Sequence, residues 1–150
     1  MIDTPDLTLS VEFPGDLDYV PDVRRFLSNV ISLRAFSRRF AFRMEIIIDE
    51  LCNNAVKFGR LKVGEFVRIG CRIEPDGVTL DVFNPGADAK EIARLRKAVL
   101  ASAQDSECED DPLPGRGIQI IKILATSIQV PESEGTLVRV IKKKNDAEDL

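Results

Sequence analysis

On an α-helix, at about 100° per residue, Glu50, Asn53, Asn54 and Lys57 fall on one stripe that runs beside an apolar face and not opposite it. Asn54 lies nearest the apolar edge. Asparagine costs a helix up to about 0.7 kcal/mol relative to alanine, so two in succession are a local inconsistency of the kind that function explains. A carboxylate and an amide oxygen one turn apart can aim at a single point. That suits a Mg²⁺ ion held partly by the amide oxygen of Asn54, with Glu50 as a base aimed at a nucleophile. A solvated polar face accounts for the same residues, and the stripe alone does not separate the two readings.

Three further clusters carry chemistry only in combination. Asn84-Pro85-Gly86 has the form of a type II turn, with proline second and glycine third, and it would place a side-chain amide at a strand end. Gly115-Arg116-Gly117 stands before a helix, where free backbone N–H groups and the positive dipole end suit an anion, and Arg116 adds a fixed positive charge. Gly135-Thr136 reads as a turn entering a strand. Each has an ordinary structural explanation when taken singly.

The common phosphate-binding signatures are missing. The chain has no G-x-x-x-x-G-K-[ST], and Gly115-Arg116-Gly117 follows an acidic stretch instead of a strand, with Ile120 where a third dinucleotide-fold glycine would stand. Histidine is absent altogether, which removes imidazole-based nucleophile activation, imidazole zinc ligands and a phosphohistidine on this chain. Acid–base work falls to carboxylates, Lys, Cys or the single Tyr19. Cys52, Cys71 and Cys108 are widely spaced and odd in number, which argues for reduced thiols in a cytoplasmic protein and against a disulfide framework.

The elements that must position these residues follow from hydrophobic period. Leu7, Leu9, Val11 and Phe13 alternate with polar residues as a first strand. Val20, Val23, Phe26, Leu27, Val30 and Ile31 describe an amphipathic helix. A stronger helix runs from about Arg38 to Phe58, with Met44, Ile47, Ile48, Leu51, Ala55 and Phe58 on its apolar face and Gly59 placed as a C-terminal cap. Val67 to Ile73 and Val78 to Val82 alternate around Pro75-Asp76-Gly77 and form a hairpin. Ile92, Leu95, Val99 and Leu100 suggest a shorter helix, and Ile118, Ile121 and Leu124 a last one. SIQV and TLVRVIKK read as a final strand pair, and residues 144–150 as a frayed tail. The predicted fold class is α+β: one domain over 1–150, a two-layer sandwich with a mostly antiparallel sheet of about five strands covered on one face by three or four helices.

Composition agrees with an ordinary globular chain: 150 residues, 44% hydrophobic and 31% charged. With 21 basic against 25 acidic groups the net charge of −4 has the wrong sign for duplex phosphates, so no direct nucleic-acid role is expected. No apolar run approaches the roughly 20 residues of a membrane-spanning helix, and no membrane partner is expected.

In order, DELCNNAVKFG, VTLDVFNPG, an acidic insert, PGRGIQIIK and GTLVRV resemble the ATP-binding fold of gyrase, heat-shock chaperone, histidine kinase and mismatch-repair ATPases. Among these, the chain is most similar to the anti-sigma-factor serine/threonine kinases. The resemblance implies ATP/ADP and Mg²⁺ as cofactors. Glu50 would be the general base and Asn54 the Mg²⁺ ligand. Asn84 stands where the family has an Asp that accepts a hydrogen bond from the adenine amino group. Gly86 matches the first glycine of that box, and Asp88 stands where the second would be. Gly115 and Gly117 match phosphate-contacting glycines, Arg116 would help neutralise phosphate charge, Thr136 would support the adenine side, and residues 87–114 would form a lid. An amide at 84 accepts without the charge assistance of a carboxylate.

The implied activity is phosphorylation of a serine or threonine on an anti-anti-sigma partner, with a sigma factor sequestered in the alternate state. A non-catalytic sequestering adaptor of the same fold is the alternative, and an adenine-nucleotide-regulated module acting on another signalling protein a third. A homodimer is implied by the family. The segment from Arg24 to Arg43 holds Arg24, Arg25, Arg34, Arg38, Arg39 and Arg43 without one acid, and is the candidate surface for an acidic partner or for dimer contacts.

Overall fold

A computed structural model describes residues 5–59, 61–86, 88–101 and 115–144. The sequence of elements is β1 (Leu7–Pro14), a 3₁₀ turn (Leu17–Tyr19), α1 (Val20–Ser32), α2 (Arg38–Phe58), β2 (Phe66–Glu74), β3 (Gly77–Asn84), α3 (Ala89–Leu100), α4 (Gly115–Leu124), β4 (Ser127–Gln129) and β5 (Thr136–Lys143). The expected α+β sandwich is present, with five strands and four helices. The tail beyond residue 144, the segment 102–114 and Cys108 lie outside the described residues.

All strand pairs are antiparallel, in the order β1-β2-β3-β5-β4. Alternation decides which side each residue takes. Val67, Ile69, Cys71 and Ile73 of β2 and Val78, Leu80 and Val82 of β3 turn inward and are buried, while Arg68, Arg72 and Glu12 stay outside. The outer face is held by cross-strand ion pairs, Arg68 to Glu12 at 2.8 Å and Arg139 to Asp81 through two bonds of 2.8 and 2.9 Å. Opposite-charge neighbours of this kind fix register more than they add stability.

Four helices cover the inner face. α2 starts on Ser37, whose hydroxyl accepts the Phe40 N–H at 3.0 Å, and buries Phe40, Met44, Ile47, Ile48, Leu51, Cys52 and Ala55. α1 packs on it through Val23, Leu27 and Ile31. Phe26, expected on the apolar face, is instead 48% exposed. At 100° per residue it sits well off the line through Val20, Leu27 and Ile31, so the wide apolar stripe in the sequence overstates the buried one. Cys52 and Cys71 are buried free thiols, and burial pushes both up to about 12, so they are poor nucleophiles at neutral pH.

Two glycines expected to act through their backbone freedom act through their size. Gly59 ends α2 with φ −70°, a right-handed conformation, so it is not a left-handed cap. A Cβ there would lie 2.2 Å from the Ala55 carbonyl oxygen and 3.0 Å from the Asn84 side chain. Among the described glycines a positive φ occurs at Gly64, at +88°. Its surroundings are open, so Gly64→Ala pays for the backbone conformation alone. That substitution should lower the urea-unfolding stability by about 1 kcal/mol, and Gly64→Asn by less, because asparagine tolerates the left-handed region. Equal midpoints for the parent and Gly64→Ala would contradict the assignment.

Candidate functional site

α2, α3 and α4 converge over one end of the inner sheet face and leave a recess between them. Its apolar wall is Leu51, Ala55, Phe58, Val82, Leu95, Ile118 and Val138, and its polar groups are Asn54, Asn84, Glu91 and Thr136. The recess with its open mouth encloses about 490 Å³. Flat apolar walls with few polar points are the usual make-up of a small-molecule site.

The helical stripe separates into two roles. Asn53 donates to Asp49 Oδ2 at 3.2 Å, and Asp49 in turn accepts Arg24 Nη1 at 2.9 Å, so this amide ties α2 to α1. Asn54 turns the other way, into the recess, where its Nδ2 is buried without a hydrogen-bond partner. An orphaned amide at such a position is a cost that a bound group would remove. Rotating the amide by 180° would present its oxygen at the same place.

Glu50, one turn earlier, faces the start of α4. A Cβ on Gly117 would lie 2.6 Å from Glu50 Oε2, 3.2 Å from Asn54 Nδ2 and 3.4 Å from Asn54 Oδ1. The carboxylate, the amide and Gly117, in the first turn of α4, therefore meet at one point although more than sixty residues separate the glycine from the other two. Burial pushes the Glu50 carboxyl above its ordinary value of 4.5, the Asp49 charge pushes it further, and the Lys57 charge draws it back. Gly115 opens α4, and Arg116 in its first turn is exposed and stands outside the recess lining.

Asn84 closes the other end. It is 5% exposed, and its Oδ1 accepts the Gly86 N–H at 3.0 Å. This Asx turn replaces the expected type II turn: Gly86 lacks the positive φ that a type II turn demands. Glycine is needed there because a Cβ would lie 2.2 Å from the Gly59 carbonyl oxygen. Thr136, the β5 partner of Asn84, donates its hydroxyl to the Gly86 carbonyl at 2.7 Å and clamps the turn. Gly135 completes the enclosure, since a Cβ there would lie 2.2 Å from the Asn84 carbonyl oxygen. Asp88 points elsewhere: it caps α3, accepting the N–H groups of Lys90 and Glu91 at 2.9 and 3.3 Å.

Of the residues singled out from sequence, Asn54, Asn84 and Thr136 line the recess, Glu50 and Gly117 meet beside Asn54, and Gly86 braces Asn84. Sequence reasoning missed Gly59 and Gly135 as packing partners of Asn84, and Glu91 as a recess carboxylate. The first two had a signal: Gly59 ends the DELCNNAVKFG motif and Gly135 begins GTLVRV.

The family model for the histidine kinase-like ATPase domain matches residues 13–142. The chain belongs to that family, which makes the recess a candidate seat for a nucleotide. No curated protein is similar enough to this chain to count as a match. Among the described residues no group of three or more Asp, Glu, His or Cys side chains forms a metal cage, and no helix is long and apolar enough to cross a membrane. A cation held here would have to share its oxygens between the protein and the nucleotide's phosphates, as Mg²⁺ commonly does. The buried, unpartnered Asn54 amide and the side-chain-free approach of Gly117 fit that arrangement.

Proposed function

We propose that this protein is a Mg-nucleotide-dependent switch kinase that phosphorylates a serine or threonine of an anti-anti-sigma partner and sequesters a sigma factor in the alternate state. The observation that carries the reading is the meeting of Glu50, Asn54 and Gly117 at the mouth of a recess whose far end holds Asn84 and Thr136. Mg²⁺ bound with the nucleotide would neutralise charge on the transferring phosphoryl group. Asn54 offers its amide oxygen to that ion. The N–H groups that open α4 face the phosphates, and Arg116 can swing in from solvent. Glu50 accepts the proton of the attacking hydroxyl, and its raised pKa makes it the stronger base.

The chain has no histidine to carry a phosphohistidine, and in this reading the phosphate goes to a hydroxyl of a partner. The partner surface is best sought on α1 and the start of α2, though the arginine segment is less open than its composition suggests. Arg24 is held by Asp49 and Glu45, and Arg34 donates to the Pro5 carbonyl at 3.0 Å. Arg25 and Arg38 remain exposed. A homodimer and a cytoplasmic setting belong to the same reading.

The test is incubation with millimolar Mg·ATP and a serine-bearing anti-anti-sigma protein. Acid-stable phosphoester on the partner, and none on this chain, is the expected result. Tight partner binding without transfer would favour the sequestering adaptor, the reading that the amide at 84 supports. Asp88 gives that alternative no support, because its carboxylate serves as a helix cap away from the recess.

A further inference from the structure

Lys144, the last described residue, points back at the most basic surface of the protein. Its N–H donates to the Asp76 carbonyl at 2.7 Å, and its ammonium stands 5.5 Å from the centre of the Phe36 ring. Phe36 belongs to the connection between α1 and α2 and stacks at 4.3 Å on Phe40, a core residue that holds it in place. Arg34 and Arg38 each stand two residues from Phe36, with Cα atoms within about 8 Å of its own. Arg38 and Arg39 are exposed, and Arg34 is half-buried with one N–H on the Pro5 carbonyl at 3.0 Å.

Like charges gathered in this way repel one another. The segment 24–43 holds six arginines and no acid, and the first turn of α2, where acids commonly stand, has Arg38 and Arg39 instead. Lys144 adds its charge to the same corner. Residues 145–150, Asn-Asp-Ala-Glu-Asp-Leu, carry Asp146, Glu148 and Asp149 and no base. They follow Lys144 directly, and six extended residues span about 20 Å, enough to bring these acids from the Phe36 ring to the arginines that flank it. Leu33, at the end of α1 and 84% exposed, offers Leu150 an apolar neighbour.

We propose that residues 145–150 dock on the α1–α2 corner and shield its arginines, so that an acidic partner must displace them to bind. The consequence for a partner rests on the partner surface described above, whereas the contact itself needs no partner. Exposed ion pairs are individually weak and screened by salt, but a six-residue tether keeps the acids beside the arginines at a roughly millimolar effective concentration. The shield is therefore usually in place and readily displaced.

Amide hydrogen exchange tests the contact by comparing the full chain with a variant whose tail is neutral, Asp146→Asn, Glu148→Gln and Asp149→Asn together. In low salt the neutral tail should speed exchange over residues 33–39 severalfold and leave the β2–β3 hairpin unchanged, and about 0.5 M salt should erase the difference. Hexaglutamate serves as the acidic probe. It should bind the neutral-tail variant about tenfold more tightly than the parent, as for a surface open one-tenth of the time, and adding Arg38→Gln should remove most of that gain. Equal exchange or equal peptide affinity in the two chains overturns the inference, and so does hexaglutamate binding to neither. Neither readout involves phosphoryl transfer. A missing tail contact therefore leaves the switch-kinase reading standing, and missing phosphotransfer leaves the tail contact standing.

Discussion

Glu50→Gln should abolish most phosphotransfer and at the same time make the protein more stable at neutral pH. The rate falls because glutamine cannot take the hydroxyl proton, a loss of about 10²–10⁴-fold for a general base. Stability rises for a separate reason. Desolvation and the Asp49 charge raise the Glu50 carboxyl above its ordinary value of 4.5, which means the fold favours the protonated form. For a group whose folded pKa is raised, its stabilising contribution is fully present below the unfolded pKa and is lost as pH climbs through the folded one. The parent chain therefore carries a penalty at pH 7 that glutamine, a neutral isostere, does not. Melting scans between pH 4 and pH 7 should show the gain at the upper end shrinking toward acid. Unchanged transfer would remove Glu50 from the chemistry, and a lower melting temperature at pH 7 would contradict the electrostatic account.

Two glycine substitutions should separate packing from chemistry. Gly86→Ala drives a Cβ into the Gly59 carbonyl, a backbone atom that cannot rotate aside, so the β3–α3 turn or the end of α2 must move. Overpacking of this kind costs about 1–3 kcal/mol, and for a chain of this size each kcal/mol is worth about 2–4 °C. Nucleotide affinity should fall with it, because Asn84 loses its bracing. Gly117→Ala meets the tip of the Glu50 side chain instead, 2.6 Å away, and that carboxylate can swing. Its melting temperature should stay close to the parent value while phosphotransfer collapses, since the base and the Asn54 amide are both pushed off their common point. Calorimetric melts together with a phosphotransfer assay read both outcomes, and a Gly117→Ala protein of full activity would sink the proposed geometry.

Much of this is legible in the sequence. α2 begins and ends where the hydrophobic period says, because a 21-residue amphipathic helix with a serine cap leaves little freedom. The strands followed from alternation, since one buried and one wet face make a period of two unmistakable. Asn54 could be placed at the apolar edge by angle alone. Glycine was misjudged more than any other residue type. Gly59 and Gly86 suggested special backbone angles, but their absent side chains serve a close approach between two chain segments that local sequence cannot foresee. Arg24 looked like part of a free basic surface, and only the packing of α1 on α2 reveals Asp49 and Glu45 beside it. The direction of the Asn84 amide was likewise unreadable, because it depends on one N–H two residues on.

Lys142 bears on how α4 can move. This lysine is 4% exposed, lies on β5 with its ammonium 5.2 Å from the centre of the Phe40 ring, and donates to the carbonyl of Leu124, the last residue of α4, at 2.8 Å. A desolvated cation set between an aromatic face and a helix C-terminus is a costly contact to break. One end of α4 is thus moored while the other, about 15 Å away at 1.5 Å per residue, rests on glycines. A ligand beside Glu50 therefore meets a helix held at its Leu124 end by the sheet and along its middle by α3, through Gln119 on the Ala98 carbonyl and Lys122 on that of Ala101.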